Sequence, residues 1–215
     1  MAIPYKFLLR TAENGNCNEL SRIIESGCNL NYQKKKSGKT ALMLAVQRGK
    51  LEAVKLLTGA GADLNLRDKY GETALMMAAL RGLASIARYL AEQGANVDIQ
   101  DNFRQSALMR AAQRNDMAMA EILISAGANL NQQDQSGKTA LIYAALRCFA
   151  DMLHLLLKSG ADGSLINSAG DDYICILLRN YPQTLTVIKE SIENSYKNLL
   201  LAPGLSGPIL HDIEI

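Results

Sequence analysis

The hexapeptide Ser-Gly-Lys-Thr-Ala-Leu occurs at Ser37 to Leu42 and again at Ser136 to Leu141, 99 residues apart, or three times 33. Two variants fill the interval at the same step, Tyr-Gly-Glu-Thr-Ala-Leu from Tyr70 and Phe-Arg-Gln-Ser-Ala-Leu from Phe103. Similar apolar runs start at Ala41, Ala74, Ala107 and Ala140, and a second marker, Gly-Ala-Asp-Leu-Asn from Gly61, returns in variants from Gly94, Gly127 and Gly160. Such a period places residues one step apart in equivalent positions of successive units. The units must stack in line instead of surrounding a common centre, so the chain is expected to form one elongated domain.

The Gly-Lys-Thr triplet closes a phosphate-binding loop only when another glycine stands five positions before its Gly-Lys pair. Those positions hold Gln33 and Gln132. Both copies therefore belong to the repeat and not to a nucleotide site.

Within each unit a hydroxyl residue, Thr40, Thr73, Ser106 or Thr139, precedes a stripe of helical period such as Leu42, Ala45, Val46 or Leu75, Ala78, Ala79. This predicts an N-capped inner helix with a close-packing face. Gly49, Gly82, Asn115 and Cys148 are placed to close it, and a second helix follows with inward pairs Val54 and Leu57, Ala87 and Leu90, Ala120 and Leu123, Leu153 and Leu156. Gly61, Gly94, Gly127 and Gly160 suit a left-handed helix end. About a dozen polar residues with Asp and Gly then form a hairpin-like finger before the next cap.

The pattern resembles the ankyrin repeat: Asp68, Gly71, Thr73, Leu75, Ala78 and Ala79, then Leu90, Gly94, Ala95 and Asn96, meet that family's signature, with similar matches in the neighbouring units. The resemblance implies an all-α solenoid of helix-turn-helix units joined by finger loops. The family's proline at the first helical position is replaced by Ala41, Ala74, Ala107 and Ala140, and its histidine by Met43, Met76, Met109 and Ile142. These departures predict loss of a pre-organised start and of a hydrogen bond, with stability leaning on apolar packing. Full repeats are expected at 35–67, 68–100, 101–133 and 134–166, with an N-terminal capping repeat at 1–34, a degenerate C-terminal cap at 167–201 and an irregular tail at 202–215. The first finger carries one extra residue. Asn31, Asn65 and Asn131 lie where hydroxylases modify resembling proteins.

Net charge is +2, and the longest purely apolar runs, Ala74 to Leu80 and Ala140 to Leu146, are seven residues, too short to span a bilayer. There is no signal-peptide core at the start, so a soluble cytoplasmic protein is expected, secreted into a host cell if it is bacterial. Cys17, Cys28, Cys148 and Cys175 lack metal-ligand spacing, and His154 and His211 stand alone. No nucleophile, base or carboxylate pair converges, so no catalytic residue, metal or cofactor is expected.

The period instead predicts a surface. Arg48, Arg81, Arg114 and Arg147 should form a ladder on the concave side, with rungs about 10 Å apart and mutual repulsion of only about 0.4 kcal/mol per pair in water. Lys69, Tyr70, Glu72, Asn102, Phe103, Gln105, Gln135, Ser136 and Lys138 should lie on the fingers, and Leu44, Met77, Arg110 and Tyr143 on the groove side of the inner helices. Tyr70 and Phe103 should be exposed, and Arg104 replaces the turn glycine found as Gly38, Gly71, Gly137 and Gly170, at a cost in strain if that turn needs positive φ. Aromatics and arginines dominate binding hot spots. The partner-binding set is therefore Arg48, Lys69, Tyr70, Arg81, Phe103, Gln105, Arg110, Arg114, Tyr143 and Arg147, gripping another protein, with the chain a monomer. Two alternatives are a bacterial effector or regulatory protein whose tail is a targeting signal, and an anion or nucleic-acid binder using the ladder. The Lys34, Lys35, Lys36 run with Lys39 reads as a solvated loop, and the modest charge argues against nucleic acid.

Overall fold

A computed structural model describes residues 5–181. Among them are eleven helices and no strand: α1 (Tyr5–Asn14), α2 (Cys17–Glu25), α3 (Ala41–Gln47), α4 (Leu51–Gly59), α5 (Ala74–Arg81), α6 (Ala84–Glu92), α7 (Ala107–Arg114), α8 (Met117–Ser125), α9 (Ala140–Leu146), α10 (Ala150–Lys158) and α11 (Tyr173–Asn180). The expected tail at 202–215, and residues 182–201 of the expected C-terminal cap, lie outside the described residues.

Each inner helix starts where its hydroxyl sits. The side chains of Thr40, Thr73, Ser106 and Thr139 accept hydrogen bonds from the amides three residues on, at 3.2, 3.2, 3.4 and 3.2 Å, and Asp172 does the same for Cys175 at 2.7 Å. The methionines that replace histidine supply an acceptor of their own: Met43 Sδ and Met109 Sδ each accept the N–H of the cap residue at 3.5 Å. The expected loss of a hydrogen bond is thus partly made good in two units. The inner helices end in left-handed residues, and at Asn115 (φ 54°) and Cys148 (φ 53°) this conformation is taken by a residue with a side chain.

The inner helices stack in chain order, α1 on α3, then α5, α7, α9 and α11, while α2, α4, α6 and α8 form the start of an outer layer. Leu42, Ala45 and Val46 and their counterparts one step on are fully or almost fully buried, as are the inward pairs of the outer helices. Alanine at two of the three stripe positions in α5, α7 and α9, and at one in α3, permits the close approach. Leu, Ile and Met fill the space between layers, each contributing roughly 1.5–3 kcal/mol when fully buried.

The fingers are built on a carboxylate. Asp68 Oδ1 accepts from the amides of Tyr70 (2.8 Å) and Glu72 (3.0 Å), Asp101 Oδ1 from Phe103 (2.8 Å) and Gln105 (2.9 Å), and Asp134 Oδ1 from Ser136 (2.7 Å) and Lys138 (2.9 Å). Neighbouring fingers join edge to edge, with Lys69 N–H donating to Ser37 O (3.0 Å), Asn102 to Tyr70 O (2.9 Å), Gln135 to Phe103 O (3.1 Å) and Ser168 to Ser136 O (2.9 Å). Deeper in the loops Asn31, Asn65, Asp98 and Asn131 each use Oδ1 to accept an amide of the next unit, from Asp63, Asn96, Asn129 and Asp162, all at 2.8 Å.

Candidate functional site

The concave side is made by the inner helices and the fingers that lead into them. Arg81 and Arg114 are the last residues of α5 and α7, and Arg48 and Arg147 cap the C-termini of α3 and α9. A cation there opposes the negative end of the helix dipole, which favours this placement by a few tenths of a kcal/mol. The four rungs nevertheless differ. Arg48 is tied to Glu13 Oε1 through Nε (3.0 Å) and Nη2 (2.6 Å). Arg81, Arg114 and Arg147 are exposed and form no ion pair among the described residues.

Arg114 and Arg147 border a shallow concavity of about 440 Å³ that Leu80, Arg110, Gln113, Tyr143 and Leu146 complete. Its floor is polar but held internally. Arg110, with its side chain only 11% exposed, places Nη2 at 2.6 Å from Asp101 Oδ2 and 2.8 Å from Glu72 Oε1. Tyr143 donates its hydroxyl to Asp134 Oδ2 at 2.6 Å and accepts from Gln105 Nε2 at 2.9 Å. Burial, together with the Asp134 carboxylate, pushes the Tyr143 phenol up to about 12, so it stays protonated and acts as a fixed donor. Arg110, Gln105 and Tyr143 thus shape the face from beneath.

The finger tips carry the exposed aromatics. Tyr70 is 52% exposed with Lys69 Nζ 4.6 Å from its ring centre, and Phe103 is 62% exposed one finger further on. Between these tips runs the Asn102 to Tyr70 hydrogen bond, which fixes their relative positions. Arg104 adopts φ 60°, so the strain foreseen for that turn is present. At the equivalent Gly71, an added Cβ would lie 2.5 Å from Arg67 Nη2 and from Asn102 Oδ1. The third finger therefore differs from the second both in strain and in the room it leaves its neighbour.

Two expectations fail. Leu44 and Met77, placed on the groove side by register, are 7% and 4% exposed and belong to the core. Apolar side chains at that position turn inward, whereas Arg110 and Tyr143 reach the finger carboxylates. Leu80, Gln113 and Leu146 were missed in the sequence, although they stand one residue before Arg81, Arg114 and Arg147 and share the same step.

A linear stack of helix pairs, presenting a concave face of inner helices and projecting fingers, defines a repeat-solenoid protein. A family model described as ankyrin repeats (3 copies) matches residues 8–101 and 94–167. The chain belongs to the ankyrin-repeat family. Ankyrin repeat and SOCS box protein 6 of Mus musculus is 40% identical over 62 residues, 29% of this chain and 15% of the mouse protein, so the chain spans only a small part of that relative. Among solved structures, a chain in the complex of the predatory endopeptidase Bd0816 from Bdellovibrio bacteriovorus with immunity protein Bd3460 aligns with TM-score 0.73 and 30% identity, covering 86% of this chain and 97% of that one. Ankyrin repeats are in general protein-binding modules. No described helix is long and apolar enough to cross a membrane, and no group of three or more His, Cys, Asp or Glu converges as a metal site among the described residues.

Proposed function

We propose that the chain is a monomeric, non-catalytic, cytoplasmic binding module whose concave face and second and third finger tips grip another protein. The observation that carries this reading is the pairing of exposed aromatics, Tyr70 and Phe103, with the unpaired arginines Arg81, Arg114 and Arg147 on one rigid scaffold. A scaffold held by repeated hydrogen bonds loses little ordering entropy when it binds. Support also comes from the Bdellovibrio neighbour, itself a complex between two proteins. By analogy with that complex of an endopeptidase and an immunity protein, we propose that the partner is an enzyme and that binding by the module lowers its turnover.

The test is capture from lysate of the source cell by wild type and by a Tyr70→Ala, Phe103→Ala, Arg114→Ala variant whose helical circular dichroism and melting are unchanged. Loss of a wild-type partner from the variant is expected, with affinity reduced about thirtyfold if one hot-spot residue is among the three and about a thousandfold if two are. Identical partner sets would move the site off this face. If the partner is an enzyme, adding the module should lower its turnover, and unaltered turnover would remove the inhibitory reading.

A further inference from the structure

The proposed seat of the partner also carries information about what sits there. In the equivalent segments 68–81, 101–114 and 134–147, which form the second to fourth fingers and α5, α7 and α9, seven Arg and Lys stand against four Asp and Glu, a net of +3, where the whole chain has +2. All four carboxylates are engaged inside the fold. Asp101 and Glu72 hold Arg110, Asp134 takes the Tyr143 hydroxyl, and Asp68, 6% exposed, clasps two amides. The groups on this face left without a counter-charge are cations, and Arg81, Arg114 and Arg147 are in line at the ends of adjacent helices.

Their spacing selects a backbone. Packed helices lie about 8–10 Å apart. A polyproline II segment rises about 3.1 Å per residue with three residues per turn, so every third side chain faces one way at steps of about 9 Å. A β-strand repeats on one face about every 7 Å and falls out of step within two rungs. Leu80, 41% exposed, and Leu146 stand beside the arginines. They offer an aliphatic contact next to Arg81 and Arg147, while Gln113 stands beside Arg114.

Resting on the binding reading above, we infer that the face of α5, α7 and α9 takes an acidic protein segment in the polyproline II form, with a carboxylate at every third position and an aliphatic residue beside it.

The probe is a fluorescein-labelled peptide of repeated Glu-Pro-Leu triplets, followed by anisotropy against the full chain at low salt. Binding is expected, and it should weaken about threefold or more for each of Arg81→Ala, Arg114→Ala and Arg147→Ala. It should be unchanged by Arg48→Ala, because Glu13 already occupies that rung. Replacing Glu by Gln should abolish it, and gathering the same glutamates into one block should weaken it. No binding by the triplet peptide, equal binding by the blocked peptide, an equal loss with Arg48→Ala, or tighter binding of a short oligothymidylate would each overturn the inference. So would binding seen only after removal of residues 202–215, which end in Asp-Ile-Glu-Ile, since the occupant would then be the chain's own tail. If the peptide fails while a captured partner still depends on Tyr70 and Phe103, the acidic segment is wrong and the concave seat stands; if capture is indifferent to those residues, the seat itself is wrong.

Discussion

The second finger and its two successors use the same aspartate for one purpose and differ in the other. Oδ1 of Asp68, Asp101 and Asp134 closes the turn in identical fashion. Oδ2 meets Arg110 in the third unit and Tyr143 in the fourth. In the second the residue nine positions on is Met77, and Asp68 Oδ2 is buried with no hydrogen-bond partner among the described residues. The period therefore preserves what the backbone needs. What the groove floor is made of varies from unit to unit, because only one oxygen of the carboxylate is committed to the turn.

Four substitutions probe this difference. Asp101→Ala removes the clasp and leaves Arg110 with Glu72 alone, so it should cost about 3 kcal/mol in denaturant unfolding. Asp68→Ala, which loses a clasp but also an unpaired buried oxygen, should cost roughly half as much. Equal losses would show that the second oxygen is energetically silent. Tyr143→Phe should cost about 1–2 kcal/mol by orphaning Asp134 Oδ2. Its pH dependence has a definite sign: a phenol whose pKa rises from 10.0 to about 12 on folding adds stability below pH 10 that is lost as pH climbs toward 12. The variant's deficit should therefore shrink across that window, where its tyrosinate absorbance should also lack the latest-titrating component. Smallest of the four, Met77→Tyr gives Asp68 Oδ2 the donor found in the fourth unit and should stabilise by about 1 kcal/mol. A decrease would mean that the second unit lacks the room its successors have.

The fold was legible because its determinants are local and repeated. Thr40, Thr73, Ser106 and Thr139 announce helix starts by their own chemistry, and each stands immediately before its helix. The groove was less so. Register places a residue on a face, but whether its side chain turns inward depends on what it can reach, which separates Leu44 and Met77 from Arg110 and Tyr143. The closed state of Arg48 was equally hidden, since Glu13 lies in a unit whose step to the next is 34 and not 33. Leu80 and Leu146 carry no charge that would mark them as surface residues, although they keep the same interval as the arginines beside them.

Asn31, Asn65, Asp98 and Asn131 each accept an amide of the next unit in the same way at four successive joints, so the angle between units is set by the same bond along the array. A small common change of angle at every joint would spread or gather the arginine tips together, as the teeth of a bent comb open or close. A ligand bridging several of those charges would act as a brace against such bending.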